Sequence, residues 1–284
     1  MLSLLKSDIY KIFKRMSFYV CMLLVALAAG YNTWTQEQTM KMQYKAQFSR
    51  YAAFMDVSEM YAKIDAMSGK ELGITAWSVL MNSLPYVITF SGIFLTIFIS
   101  SEFSSGMCKA LLIRGKNRIS VYISKLISCS LVSIIYSLVV CALNFGIGAS
   151  KWQGYEWKNE YLNDYIIPFG WFLLVAITWQ ALLCMTTFIC RGSGMSMAVN
   201  LGLITLIPPA ILLGLKYIAN SWFNKSDIPF SDYWLGNYDQ ICLWGIQGEK
   251  LTSETINPLI WTLVCWFIVP TLIGMLVFKR REIK

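Results

Sequence analysis

The sequence contains no histidine among its 284 residues. This absence excludes catalytic triads that use histidine, haem ligation by imidazole and most catalytic zinc sites. The eight cysteines show no spacing typical of zinc ligands, so no metal site is predicted. Because these catalytic groups are missing, the chain is not expected to be an enzyme.

Charge is also scarce. Charged residues make up 14% of the chain and hydrophobic residues 56%, with a mean hydropathy of +0.53, whereas a soluble domain carries about 25% charged residues. A helix needs about 20 apolar residues to cross a bilayer. Six segments approach or exceed this length, at about 17–34, 77–100, 122–148, 166–190, 194–216 and 258–278. The sequence therefore predicts an all-α polytopic membrane protein in which residues 1–284 form a single domain with six transmembrane helices.

Two kinds of energy-coupling group are missing as well. No aspartate or glutamate lies well inside any predicted span, which disfavours a proton-driven carrier. No G-x-x-x-x-G-K-[ST] loop is present, so the chain itself cannot hydrolyse ATP by that route. We expect it to bind no cofactor of its own.

The basic residues are distributed unevenly between the predicted loops. One set of segments holds 14 of the 24 basic residues but only three of the 16 acidic ones. These segments are 1–17, 101–125, 191–193 and 279–284. Short loops rich in lysine and arginine stay in the cytoplasm, so both termini are expected there. The net charge of +8 therefore reflects membrane topology, and no nucleic-acid partner is predicted.

Three segments outside the spans have recognisable patterns. Residues 1–16 are predicted to form an amphipathic helix in the cytoplasmic interface, next to membrane lipid. Its predicted apolar face comprises Leu2, Leu5, Ile9, Ile12, Phe13 and Met16. Residues 35–76 are expected to form an outer loop with helical stretches. Residues 217–257, rich in aromatic side chains, are expected to form an outer segment between spans five and six that enters the outer leaflet.

The loop between spans two and three has the most specific pattern. One face of a short cytoplasmic helix can be formed by Phe103, Met107, Ala110, Leu111 and Arg114, and Gly115 is expected to end the helix. A helix with one apolar side suits a socket in a partner protein. Glu102 is expected to cap the start of this helix, where the helix dipole favours an anion.

This loop resembles that of the permease subunits of ABC-2-type exporters. The matching residues are Glu102, Gly106, Leu111, Leu112, Arg118 and Lys125, in order and spacing. Met107 stands where that family usually has a hydroxyl residue. The amphipathic N-terminal helix, the six spans and the basic tail also resemble this family. Within it, the length and large outer segment are most similar to the peptide-antibiotic immunity and bacitracin-exporter subgroup.

The resemblance implies a half-transporter in a bacterial plasma membrane. Two permease subunits, alike or different, would pair with two ABC ATPase subunits, which bind ATP and magnesium. The cargo would be an antimicrobial peptide, a drug or a lipid-like amphipathic molecule, as in antibiotic resistance and lantibiotic immunity. Contact with the ATPase is then expected from the loop helix as a coupling helix. The implied coupling residues are Glu102, Phe103, Gly106, Met107, Leu111, Leu112, Arg114, Arg118 and Lys125.

Polar residues within the spans leave two interpretations open. A substrate path could be lined by Asn82, Gln180 and Asn200. Because amides that join neighbouring helices are common, packing is the favoured interpretation.

The sequence also leaves open a second function, from a different class: a membrane scaffold or sensor whose outer segment binds a ligand. An ungated channel is disfavoured, because the chain has no ring of charges and no glycine-rich filter.

Overall fold

The computed structural model describes residues 2–49, 58–67, 76–151, 166–190, 192–205, 235 and 253–280. Within these residues the chain is helical and contains no strand, which confirms the all-α prediction. The helices are α1 (Leu2–Lys14), α2 (Met16–Ser49), α3 (Ser58–Ala66), α4 (Ala76–Ser104), α5 (Met107–Ile113), α6 (Arg118–Lys151), α7 (Ile167–Cys190), α8 (Ser193–Thr205) and α9 (Ser253–Arg280).

Five of these helices are long and apolar enough to cross a membrane. The candidate spans are Met16–Ala46, Pro85–Ser104, Arg118–Asn144, Phe169–Cys190 and Leu259–Arg280. They overlap five of the six predicted spans. The remaining one, predicted at 194–216, is represented by α8 up to Thr205, and its other residues lie outside the described part of the chain. The chain is therefore a helical membrane protein, and the sixth span stays a prediction.

Helix α4 lies at the centre of the bundle. It packs against α2, α6, α7 and α8, while α7 also packs along the length of α9. The apolar stretches of α4 and α7 are mostly buried, whereas those of α2 and α9 present most of their surface outward. A helix that is apolar all round is suited to the interior of such a bundle or to lipid.

Helix α2 continues well past the end of the predicted first span. That prediction ends at residue 34, but the helix runs on to Ser49 because residues 35–49 contain neither glycine nor proline. Its 34 residues span about 50 Å at about 1.5 Å per residue, more than a bilayer core of about 30 Å. Helix α3 packs back on this extension, with Lys45 Nζ 2.6 Å from the Asp65 carboxylate. The predicted helical stretches in the outer loop are confirmed in α2 and α3.

The predicted outer segment 217–257 lies outside the described residues, apart from Leu235 and the first residues of α9. Helix α1 is present, and one of its faces packs against the bundle. The side chains buried against the bundle are Leu4, Asp8 and Ile12, whereas Leu2 and Met16 of the predicted apolar face remain exposed. The face that contacts protein is therefore partly charged, and the exposed apolar side chains are left for lipid.

Candidate functional site

The ends of four helices, α4, α6, α7 and α9, meet at one end of the bundle, which we call the basic end. Phe103 of α4 packs edge-on against Phe188 of α7, with ring centroids 5.3 Å apart, and against Phe278 of α9 at 6.2 Å. The guanidinium of Arg118, the first residue of α6, donates to the carbonyls of Phe278 and Lys279 at 3.1 and 3.0 Å. Arg118 thus satisfies free carbonyls at the C-terminus of α9, where a cation is favoured.

Four charged side chains form the centre of this end, and we call them the charged cluster: Asp8, Lys11, Glu102 and Lys125. Lys125 Nζ lies 2.5 Å from Asp8 Oδ1 and 2.7 Å from Glu102 Oε2. Lys11 Nζ donates to Glu102 Oε1 at 3.3 Å and lies 3.8 Å from Asp8 Oδ1. Each carboxylate pairs with both ammonium groups, and the four charges sum to zero.

Three of the four side chains in the charged cluster are almost completely removed from solvent. Asp8, Glu102 and Lys125 are 2%, 0% and 1% exposed, respectively. Ser124 Oγ donates a further hydrogen bond to Asp8 Oδ2 at 2.7 Å, and Lys125 Nζ sits 4.7 Å from the centroid of the Phe98 ring. Loss of one partner would leave a buried charge unpaired, at a cost of about 3–5 kcal/mol. The cluster therefore ties α1 firmly to α4 and α6.

The predicted capping role of Glu102 is wrong. Glu102 lies in the last turn of α4, and its carboxylate pairs with Lys125 and Lys11. The residue at the start of α5 is Gly106, which provides no side-chain cap. The physical reason is that α4 runs on to Ser104, which keeps Glu102 within the bundle and away from the first turn of α5.

Two glycines define the short helix α5. Gly106 and Gly115 have φ angles of 69° and 76°, in the left-handed region that favours glycine. At the C-terminus, Gly115 N donates to the Leu112 carbonyl at 3.0 Å and Lys116 N to the Leu111 carbonyl at 3.2 Å. This pair of bonds is the Schellman motif. The prediction that Gly115 ends the helix is confirmed.

Helix α5 has an inner and an outer side. On the inner side, Cys108 is 2% exposed and Leu111 packs against the core. Burial, reinforced by the charge of Glu102, raises the pKa of the Cys108 thiol to about 12. Met107 Sδ lies 3.0 Å from Lys11 Nζ, so α5 touches the charged cluster directly. The exposed outer side carries Lys109, Ala110, Ile113 and Arg114.

The structure separates the predicted coupling residues into two groups. Phe103, Met107, Leu111 and Leu112 are partly buried, and Phe103 and Leu111 pack on the core of this chain. Arg114 and Gly106 are exposed. Glu102, Arg118 and Lys125 form ion pairs or a helix cap, as described above. Contact of any of them with an ATPase stays a prediction.

Two of the predicted substrate-path residues, Gln180 and Asn200, lie between helices. Asn200 of α8 is 2% exposed and donates through Nδ2 to Thr96 Oγ1 of α4 at 2.7 Å and to Thr187 Oγ1 of α7 at 2.9 Å. Its Oδ1 accepts from Thr186. We call Thr96, Thr186, Thr187 and Asn200 the amide cluster. This arrangement favours the packing interpretation for Asn200.

Gln180 is also buried and joins α7 to α4. Its Nε2 donates to Ser91 Oγ at 2.8 Å. Among the described residues no donor reaches its Oε1, so Gln180 keeps an acceptor that a bound molecule could use. Asn82 belongs to α4, but its side chain lies outside the described part of the chain.

Asp8 and Lys11 belong to the site but were not predicted from the sequence. A signal was present: Asp8 is the one acidic residue in the first 17 and stands four residues from both Leu4 and Ile12. At that spacing a helix places the three residues on one face. An acid on the buried face of a basic helix requires a cation opposite it, and Lys125 fulfils that requirement.

The described residues contain no group of three or more acidic or cysteine side chains that could hold a metal ion. Comparison with known families gave a match. A sequence model described as "Protein of unknown function (DUF2705)" matches residues 38–284. The chain belongs to this family. A comparison with curated proteins found no match. The DUF2705 match covers Glu102, Lys125 and all of α5, whereas Asp8 and Lys11 precede it.

Proposed function

We propose that this DUF2705 chain is the transmembrane permease subunit of an ATP-driven ABC exporter. In this proposal it has six spans, lies in a bacterial plasma membrane and keeps both termini in the cytoplasm. The observation that carries the proposal is the exposed basic side of α5, which rests on a buried charged cluster.

The outer side of α5 has the composition of a docking surface. Ile113 is 77% exposed, although it belongs to a short helix outside the candidate spans. Lys109, Arg114 and Lys116 are exposed around it. A complementary partner would offer an apolar pocket for Ile113 with acidic residues at its rim, since anchors in pockets supply affinity and opposite charges supply specificity. We assign this role to the ABC ATPase, which binds ATP and magnesium.

The inner side of α5 offers a route by which a partner could move the spans. Met107 contacts Lys11, and Lys11 pairs with Glu102 at the end of α4. Glu102 and Asp8 share Lys125 of α6. A displacement of α5 would thus be passed to α1, α4 and α6 together. ATP shifts the balance between two arrangements of the spans only if the ATPase binds it with different affinity in each.

The proposed cargo is an antimicrobial peptide, a drug or a lipid-like amphipathic molecule. Apolar spans without acidic residues deep inside them suit such cargo better than ions. The path would run past Gln180, whose buried acceptor supports a contact with cargo, and it would be completed by a second permease subunit, alike or different.

The first test is purification of the chain from its native membrane in a mild detergent, with every associated protein identified by mass spectrometry. We expect a stoichiometric ATPase with a phosphate-binding loop. A chain that stays folded and is recovered without such an ATPase would contradict the proposal. A ligand-binding partner in its place would favour the scaffold or sensor alternative.

The second test locates the docking surface. Ile113→Ser combined with Arg114→Glu should reduce ATPase retention about tenfold or more, because it removes an anchor and reverses a charge. Size-exclusion elution of the chain itself should not change, since both side chains are exposed. Lys63→Glu, at an exposed lysine of α3, is the matched control and should retain the ATPase. Equal retention in all three proteins would exclude this side of α5 as the contact.

A further inference from the structure

A groove of about 480 Å³ opens on the surface of the bundle between α6 and α9, with α7 as its floor. Ile127, Leu131 and Ile134 contribute one wall, and Phe267 and Thr271 the other. Ile177 lies at the bottom. All three helices contain candidate membrane spans, so the groove lies at the depth of the hydrocarbon core.

The two walls of the groove touch at its basic end, so the groove opens sideways onto the surface of the bundle. Tyr122 of α6 lies so near Gly274 of α9 that a β-carbon at position 274 would overlap the phenol ring. Farther along, the two helices leave room for the groove, which begins next to Tyr122 at Ile123. Its geometry therefore depends on glycine at position 274.

The lining determines what class of molecule can fill the groove. Its two hydroxyls are already used within their own helices, because Ser130 donates to the Leu126 carbonyl at 2.9 Å and Thr271 to the Phe267 carbonyl at 2.6 Å. No lining hydroxyl therefore needs a polar ligand. Surfaces on which membrane helices associate are rich in small residues, whereas most residues lining the groove are large and apolar. A flexible acyl chain suits such a surface better than a second helix does.

Basic residues stand at the end of both walls. Arg118 begins α6, and Lys279 and Arg280 end α9. At about 1.5 Å per residue, Arg118 lies roughly 7–8 Å along the axis from Ile123, and Lys279 about 12 Å from Thr271. One leaflet of the hydrocarbon core is about 15 Å thick. A lipid tail in the groove would therefore place its headgroup level with these cations.

We propose that the groove holds an acyl chain of an anionic phospholipid from the leaflet at the basic end, with its headgroup against Arg118, Lys279 and Arg280. The headgroup preference follows from charge, since each basic residue near a membrane surface attracts anionic lipid. This inference does not rest on the proposed function, because it uses only the groove and the charges of its two walls.

The test uses the full chain, purified with its associated proteins and placed in phosphatidylcholine nanodiscs that contain a trace of phosphatidylglycerol with a photoreactive acyl chain. After irradiation, mass spectrometry locates the label. We expect it on residues 123–134 and 267–271. Unlabelled phosphatidylglycerol should compete about tenfold better than added phosphatidylcholine, as expected for two or three nearby cations.

Matched variants on α6 separate a specific site from general lipid contact. Leu131→Trp fills the groove edge, where Leu131 is 37% exposed, and should lose most of the label. Leu138→Trp lies two turns farther on the same helix face, outside the groove, at a side chain 53% exposed, and should keep it. Lys279→Gln with Arg280→Gln, which leaves the groove unaltered, should remove most of the preference for phosphatidylglycerol, because Arg118 alone then remains.

Several results would overturn the proposal. Label spread evenly over all spans, or equal loss in Leu131→Trp and Leu138→Trp, would mean general lipid contact only. Equal competition by both lipids would exclude the charged headgroup. A second copy of the chain cross-linked at residues 123–134 would identify the groove as an interface between chains. If Leu131→Trp does not fold, the label map of the unaltered chain and the double glutamine variant decide the question without it.

Discussion

The charged cluster and the amide cluster are both buried, and each joins three helices, but they tolerate change differently. In the amide cluster, Thr96 Oγ1 lies 2.8 Å from the Gly92 carbonyl and Thr187 Oγ1 2.7 Å from the Leu183 carbonyl of their own helices. These hydroxyls keep a partner when Asn200 is removed. Within the described part of the chain, Lys11 and Lys125 are the cations that pair with the carboxylates of Asp8 and Glu102.

The clusters also differ in their access to the outside. Members of the amide cluster are at most 8% exposed, so this cluster acts inside the bundle. In the charged cluster, the side chain of Lys11 is 24% exposed, and it touches Met107 of α5. The neutral groups of the amide cluster therefore join α4, α7 and α8 to one another. The charged cluster instead joins α4 and α6 to α1 and α5, which lie outside the candidate spans.

The largest effect is expected from Lys125→Met, which removes the cation shared by Asp8 and Glu102. An unpaired buried charge costs about 3–5 kcal/mol, and each kcal/mol lowers the melting temperature of a chain of this size by roughly 2–4 °C. The purified protein should therefore melt about 10 °C lower, as measured by the loss of its monodisperse size-exclusion peak after heating.

Lys109→Met, at an exposed lysine of α5, is the control and should melt within a degree or two of the unaltered chain. Adding Asp8→Asn to Lys125→Met should recover part of the loss, because the Lys11–Glu102 pair then remains balanced. If Lys125→Met melted like the control, the buried charges would not be what holds α1 to the bundle.

A smaller effect is expected from Asn200→Leu in the amide cluster. The threonines can still use their own-helix carbonyls, and hydrogen bonds between membrane helices are worth only about 0.6 kcal/mol on average. The melting temperature should fall by about 2–4 °C, measured in the same way. Thr205→Val, at an exposed threonine that donates only within α8, should change nothing. If the melting temperature fell as far as it does in Lys125→Met, the two clusters would contribute equally to stability.

Much of the fold follows from the composition of the chain. Apolar runs long enough to cross a bilayer predicted five helices that the structure contains, and Gly115 marked the end of α5 because only glycine adopts a left-handed conformation without strain. The end of α2 was predicted too early, since hydropathy marks where a span leaves the membrane and not where its helix stops. Nothing between residues 34 and 49 interrupts that helix.

The site was harder to predict, because it depends on contacts between distant segments. Glu102 and Lys125 were identified from the loop pattern, but their partner Asp8 lies more than 90 residues earlier in the chain. The pattern also placed Phe103 and Leu111 on a docking face, although both pack against the core of this chain. Apolar periodicity shows which residues share a face but not which neighbour covers it.

The smallest effect is expected on the reactivity of a single side chain, Cys108, and it is the most direct measure of the charged cluster. Because burial and the charge of Glu102 raise the pKa of this thiol from 9.0 to about 12, it should remain neutral up to about pH 11 and react slowly with iodoacetamide. Glu102→Gln should lower the thiol pKa and speed alkylation at pH 9, whereas Lys11→Gln should raise the pKa and slow it. Peptide mass spectrometry measures the alkylation rates. Ser105→Cys, at an exposed position of the same loop, is the fast-reacting control.

The raised pKa of Cys108 also makes stability depend on pH. The folded state binds the thiol proton more tightly than the unfolded state, so this group's contribution to stability is complete below about pH 9 and is lost between about pH 9 and 12. Equal alkylation rates in Glu102→Gln and Lys11→Gln would show that Cys108 does not sense the cluster's charges, and the difference between charged and neutral clusters would then rest on stability alone.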